Sequence, residues 1–431
     1  MTAFDRFEQQ LPELMDELAS AQLPDYFDEM LTRTARTRQR PAWASLERWL
    51  PMGVIARPSL VPPLPWRSIG ILVILGLLAV AGALIYVSSR QRLPEPFGEA
   101  RNGAILYSIA DGDILSVDPV SGISRAIVTG STRDGGPLLS RDGTKFVFIR
   151  TGTGPTSALF VANVDGSGVR QLFEGEFGLL GTNTSAAQID RSPFVWSPDG
   201  AHIALTSTVD FVRKVTVLAT DGSSTRTLDL GMSVSSVNWR PNGTELLFLG
   251  EDSEVSPTTY GIYRVNSDGT DLRPILPPNS LQYAWQAPAV SPDGAQVAFA
   301  SWGDPGRDGI HVVGIDTGVD RVLDFVGQTE SDEYQQQFSP DGTQLLFARF
   351  LNGEYQLNIV PVGGGGQPVA IGPRHSQETA DPFMSFSPDG TLVLVTYPAD
   401  GSTWLLESDG SKDQQVQWPK GQFQTWQRLA P

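Results

Sequence analysis

From about residue 103 onward, apolar runs of strand length recur between clusters of Gly, Pro, Asp, Asn and Ser, the pattern of many short strands. Most runs follow one phrase: a hydrophobic residue, then Ser-Pro-Asp-Gly, then alternating apolar positions. Trp196-Ser197-Pro198-Asp199-Gly200 precedes Ile203-Ala204-Leu205-Thr206-Ser207, and Phe338-Ser339-Pro340-Asp341-Gly342 precedes Leu345-Leu346-Phe347-Ala348. Phe386-Ser387-Pro388-Asp389-Gly390 repeats it, and variants begin at Leu139, Trp239 and Val290. The turn Asp or Asn thus falls at 142, 199, 242, 293, 341 and 389, a spacing of 43 to 57 residues. That is the period of a propeller blade.

Each residue of the phrase meets a need of the turn. Pro fixes φ, the Asp side chain accepts backbone N–H groups, and Gly takes the positive φ that other residues resist. Leu139, Trp196, Trp239, Val290, Phe338, Phe386 and Trp426 occupy one repeated position and are expected to pack blade on blade. A second β-run ending in an acidic or Gly-rich turn recurs at Ile114–Gly122, Leu159–Gly166, Val215–Gly222, Ile262–Gly269, Ile310–Gly318, Leu357–Gly364 and Trp404–Gly410. Second hairpins therefore number seven against six first ones. The surplus is resolved if the chain enters blade 1 at its second strand, Ala104 to Ile109, and Phe423-Gln424-Thr425-Trp426-Gln427 returns as its first. The prediction is an all-β, seven-bladed β-propeller over residues 103–431, closed by a C-terminal strand so that no edge is left open. Six blades, the alternative, would need about 55 residues each and leave one hairpin unassigned.

Composition removes several function classes. The net charge of −17, from 48 acidic against 31 basic residues, disfavours a nucleic-acid partner. Zero cysteines exclude disulfides, thiolate metal sites and a cysteine nucleophile. One turn carboxylate per blade, spread around a ring, cannot assemble the six to eight oxygens that calcium takes, so no metal and no cofactor is expected.

The first 102 residues are organised differently. Ile69 to Val87 is a 19-residue stretch without charge, with Trp66-Arg67 before it, Tyr86 near its end, and Arg90 and Arg92 after it. This reads as one transmembrane helix at 68–89. The long segment ahead of it is unlike the short basic region of a cleavable signal, so the helix is expected to remain as an anchor. Arginines close to the span balance: Arg48, Arg57 and Arg67 against Arg90, Arg92 and Arg101. Arg33, Arg36, Arg38 and Arg40 extend the basic side upstream while the repeat region is acidic. This places the N-terminus in the cytoplasm and the propeller outside the cell membrane. Within residues 1–67, a short α-helical segment, Phe4, Phe7, Leu11, Leu14 and Leu18 form one apolar seam interrupted at Pro12, and Pro24 to about Arg36 forms a second helix. The segment docks a cytoplasmic partner protein through that seam, lies on the membrane surface or forms a loosely ordered cytoplasmic tail. Pro58 to Pro65 is an extended spacer and 90–102 a polar linker.

The repeated phrase with its following β-run, as at Val195 to Ser207 and Phe338 to Ala348, resembles the TolB-type, WD40-like β-propeller repeat over about three quarters of the chain. That resemblance implies a bacterial envelope protein, a class that includes periplasmic binding proteins and propeller domains of peptidases. The Gly-x-Ser-x-Gly elbow of those peptidases does not occur in this sequence. The N-terminal layout is similar to that of single-pass anti-sigma factors, which implies a sigma factor as the cytoplasmic partner. The His and Cys zinc ligands of many such proteins are absent.

Strand direction then selects a face. The Ser-Pro-Asp-Gly turns and the third turns share one side of the propeller, and the long connections share the other, where binding usually sits. Residues just before the first strands are expected to ring the channel mouth there: Arg133 and Asp134, Asp190 and Arg191, Tyr283 and Trp285, Glu333 and Tyr334, with Glu378, Asp381 and His375 from the loop Gly372 to Pro382. Mixed acidic, basic and aromatic groups suit a protein, peptide or glycan. The expectation is a binding module that is not an enzyme. Two other readings stand beside it: an envelope hydrolase or lyase using His375, Glu378 and Asp381 as an acid–base site at the channel mouth, and a non-catalytic envelope scaffold.

Overall fold

The structure is a computed structural model that describes residues 73–77, 97–152, 156–177, 194–210, 212–252, 259–276, 288–301, 309–323, 332–376, 382–398 and 400–430. The chain divides into two units, 1–90 and 91–431. In the first, residues 73–77 are helical. The rest of the span expected at 68–89, and both helices expected within 1–67, lie outside the described residues. Among the described residues no helix is long and apolar enough to cross a membrane.

The second unit contains seven four-stranded antiparallel sheets, so the count of seven blades stands. Blade 2 shows the common plan: Arg133–Leu139, Lys145–Thr151, Ser157–Asn163 and Arg170–Gly175, paired in that order. Blades 3 to 7 repeat it, with first strands Phe194–Trp196, Ser233–Trp239, Ala289–Val290, Asp332–Phe338 and Phe383–Phe386. Blade 1 is composite. Its second strand, Arg101–Ile109, starts slightly before the expected Ala104 and pairs with the C-terminal strand Gly421–Leu429, with Ile105 opposite Trp426.

First strands of neighbouring blades touch one another around the ring, while side chains alternate onto the two faces of each sheet and fill the spaces between blades. Leu139, Trp196, Trp239, Phe338, Phe386 and Trp426 are all buried there. The core between blades 6 and 7, for example, joins Leu346 and Leu357 to Met384, Phe386, Val393 and Leu406. Polar side chains of the first strands stitch neighbours together. Thr425 Oγ1 accepts from Leu139 N at 3.3 Å, Gln337 Oε1 accepts from Phe386 N at 3.0 Å, and Asn238 Nδ2 donates to Pro288 O at 2.8 Å. At the rim, Arg170, Arg226 and Arg321, near the starts of fourth strands, donate to Thr220 O, Asp268 O and Val362 O of the next blade.

The turns behave as their chemistry requires, with one element the sequence reading lacked. Asp199 Oδ1 accepts from Ala201 N at 2.9 Å, as expected, and Gly200 has φ of 67°. Ser197 is the added part: its hydroxyl donates to Asp199 at 2.6 Å and accepts from His202 N at 2.8 Å, locking the strand that follows. Ser140, Ser291, Ser339 and Ser387 do the same. The Ser291 hydroxyl and the Ala295 amide hold Asp293 below the usual carboxylate range. At Asp341 burial pushes the other way, and the Ser339 hydroxyl and Thr343 amide outweigh it.

Both ends of the propeller chain lie beside such turns. Ala100 N donates to Pro388 O at 2.8 Å and Asn102 Nδ2 to Asp389 at 2.9 Å, while Gln427 Nε2 donates to Gly143 O at 2.9 Å. Gly143 has φ of 69°, and a Cβ there would lie 2.2 Å from Arg428 O, so the closure requires glycine.

Trp426→Ala should cost about 3–5 kcal/mol of unfolding free energy by urea denaturation, the usual range for emptying a large aromatic site. Trp426→Phe keeps most of the packing and removes an indole N–H that has no hydrogen-bond partner among the described residues. It should lose well under half as much, and equal losses would refute closure by packing.

Candidate ligand face

On the face opposite the Ser-Pro-Asp-Gly turns, first strands begin and second strands end. Asp134 and Arg150 sit there as cross-strand partners in blade 2. Arg150 Nε and Nη2 donate to the two carboxylate oxygens of Asp134 at 2.7 and 2.8 Å, a bidentate pair. The guanidinium also lies over the Phe160 ring at 4.5 Å, and its hydrogen bond with Asp134 favours the charged form further. The Asp134 side chain is 1% exposed and that of Arg150 30%. Asp134 N donates to Gly112 O of blade 1 at 3.0 Å, so the residue also ties two blades.

The sequence placed Arg133 and Asp134 just before the first strand, and the structure places them within it, Arg133–Leu139. Arg133 is exposed, whereas Asp134 is fully engaged by Arg150. Glu333 and Tyr334 likewise fall inside their first strand, Asp332–Phe338, opposite Arg349 and Ala348. Their side chains, and Asp190, Arg191, Tyr283, Trp285, Glu378 and Asp381 altogether, lie outside the described residues.

His375 was expected in a loop. It stands instead in the fourth strand of blade 6, Val369–Ser376, opposite Tyr355, because the strand continues past Gly372 through a register shift. Its ring stacks on Tyr397 of blade 7, with centroids 3.5 Å apart and planes at 18°, and meets Trp404 edge-on at 6.3 Å. Burial lowers its pKa, with Asp400 opposing, and burial likewise raises that of Tyr397. Of the acid–base trio His375, Glu378 and Asp381, the described member therefore belongs to an inter-blade aromatic contact.

Two features escaped the sequence reading although a signal existed. Arg150 and Arg349 both stand ten residues after the turn serine, Ser140 and Ser339, and an acidic residue, Asp134 or Glu333, stands five before the hydrophobic residue that opens the phrase. The register pairs each acid with each arginine in the same way. Gln335 has φ of 65° at a bulge where blade 2 has Gly136 at 60°, so a side chain occupies a backbone state that favours glycine. Among the described residues no group of His, Cys, Asp and Glu could hold a metal ion.

No protein-family model matches the chain. Among solved structures, it is similar to an oligogalacturonate lyase in complex with manganese, at 14% identity and a TM-score of 0.52 over 74% of this chain and 86% of that one. It is also similar to the β-propeller domain of the Trilobed protease from Pyrococcus furiosus, at 14% identity and a TM-score of 0.50 over 76% of this chain and 100% of that one. TolB from Acinetobacter baumannii matches at 15% identity and a TM-score of 0.47 over 75% of this chain and 81% of that one. The expectation that the chain is not an enzyme is corrected here: its fold is shared with a lyase, so the architecture gives no ground for excluding catalysis. The described residues between 101 and 429 thus form a seven-bladed β-propeller, similar in fold to the lyase and to the protease's propeller domain.

Asp134→Asn should destabilise the propeller by about 2–4 kcal/mol, since it leaves a half-buried guanidinium with a neutral partner. Chemical denaturation at pH 7 checks this. A loss below about 0.5 kcal/mol would class the pair with ordinary surface ion pairs.

Proposed function

We propose that the chain is a single-pass membrane protein whose propeller stands outside the cytoplasm and receives a protein, peptide or glycan on the face of its long connections. The observation that carries this reading is the position of both propeller chain ends beside first turns of the repeat, the Ser-Pro-Asp-Gly turn at Pro388–Asp389 and its variant at Gly143. An anchor formed by the uncharged stretch Ile69 to Val87 would hold that turn face toward the bilayer. The opposite face then points away from the lipid, with its long connections free to meet a partner. On the other side of the membrane, the apolar seam of Phe4, Phe7, Leu11, Leu14 and Leu18 would meet a cytoplasmic partner of the sigma-factor kind.

Catalysis on a polysaccharide at the same face is the second reading, supported by the fold shared with an oligogalacturonate lyase. Incubation with oligogalacturonate, followed by product chromatography, tests that substrate directly. Unchanged chains would remove it.

The absence of cysteine makes the orientation measurable, because any introduced thiol is the sole labelling site. With the full-length protein in vesicles, a fluorophore at position 199 or 293 should be quenched by spin-labelled lipid more strongly than one at 332. The reverse order would overturn the face assignment, and capture of a sigma factor by the full chain but not by a chain lacking residues 1–67 would support the cytoplasmic half.

A further inference from the structure

The joints between blades are not equivalent at the rim. Fourth strands carry an arginine at or near their start in blades 1 to 5, namely Arg125, Arg170, Arg226, Arg273 and Arg321, and three of these donate to a carbonyl of the next blade. The fourth strand of blade 6 begins with Val369 and makes no such clasp among the described residues. Near its other end, His375 crosses to blade 7 by stacking on Tyr397 and abutting Trp404. The Tyr397 hydroxyl donates to Pro373 O at 3.3 Å alongside the stack.

We propose that the joint between blades 6 and 7 is acid-labile: protonation of His375 puts an unpaired charge into the stack with Tyr397 and Trp404 and loosens one blade from the next.

The chemistry follows from the surroundings of the ring. Nε2 of His375 is buried and has no hydrogen-bond partner among the described residues. The imidazolium needs both ring nitrogens to donate, and no described residue offers Nε2–H an acceptor. The described titratable and charged groups around the ring do not remove that demand. On blade 6, Tyr355 lies opposite His375 in the ladder, Arg374 stands beside it in the strand, and Glu354 is paired with Arg374 at 3.8 Å. On blade 7, Tyr397 offers its ring face, and Asp413 and Asp400 act on Tyr397 at longer range. Among the described residues Asp400 is the carboxylate that favours the charged imidazole, yet its oxygen accepts from Ser402 N at 2.7 Å, and burial of the ring outweighs it. Lys420, bound to Asp400 O, adds a like charge nearby. Since burial holds the folded-state pKa below the unfolded value, the ring's contribution is fully present above about pH 6.5 and is lost as pH falls through the folded value.

Hydrogen exchange of the full-length protein at pH 7.5 and 5.5, corrected for intrinsic rates, tests this. Amides of 369–376 and 392–407 should exchange about three- to tenfold faster at the lower pH, relative to those of 145–163 in blade 2. His375→Phe, which retains a ring and cannot titrate, should remove the difference. Acceleration spread evenly over all blades would overturn the proposal, as would a local difference that persists in His375→Phe. If that variant does not fold, the wild-type map decides alone, because no excess exchange at this joint refutes it.

Discussion

A ring of sheets must be closed by something stronger than proximity, because any blade left with an unpaired inner edge exposes a row of backbone donors and acceptors. Here the closing element is the ladder between Gly421–Leu429 and Arg101–Ile109, residues more than 300 positions apart in the chain. Trp426 adds to it by entering the same core as Ile105, Tyr107 and Val117. This ladder lies within blade 1 and joins the two ends of the chain, and the bonds from Ala100 and Asn102 to the blade 7 turn and from Gln427 to Gly143 reinforce it. The stability of each blade's packing depends on that closure.

The same closure sorts the molecule's two faces. A first strand supplied by the C-terminus and a second strand entered from the linker both meet the outside at the turn end of blade 1. Arg428 accordingly donates to Gly98 O, and Gly143 must lie against the Arg428 carbonyl. The acidic turns cluster at that end, yet their carboxylates are engaged: Asp199 on Ser197 and Ala201 and Asp341 on Ser339 and Thr343 within their own turns, and Asp389 also on Asn102 of blade 1. A carboxylate satisfied within its own loop is poor material for a binding site.

The turn face was readable in the sequence for this reason. Ser-Pro-Asp-Gly acts within five residues, so its meaning survives without knowledge of the fold, and Trp426 could be aligned with Trp196 by spacing alone. The ligand face was less legible because its groups act across strands. Asp134 looked available as a charge beside a channel, and only the register, which sets it opposite Arg150, shows it neutralised and buried. His375 looked like a loop residue because Gly372 and Pro373 interrupt the strand pattern; a register shift carries the strand through them and brings the ring to Tyr397 of another blade. Contacts between blades have no fixed sequence separation, so no local pattern announces them.

In a near-repetitive ring, specificity has to come from departures from the repeat, and their placement is informative. At the turn face Arg240 replaces the serine of the phrase: it still bonds within its own turn, to Glu245 at 2.8 Å, and in addition donates to Gly294 O and pairs with Asp316, both of blade 5. Arg264 joins the same carboxylate at 2.7 Å. That departure adds an inter-blade lock to the local one, which Asn242 also supports by accepting from Thr244 N at 3.0 Å. At the other face the departures run the opposite way. Gln335 accepts a backbone state suited to glycine, and Gln336 beside it is buried with both ends of its amide lacking a partner among the described residues. Unpaired polar groups and unfavourable φ both lower stability, so a chain free to optimise stability alone would put glycine and an apolar residue at these positions, as Gly136 and Pro137 do in blade 2. Their concentration at the end of the blades away from the closure is what selection for something other than stability would leave.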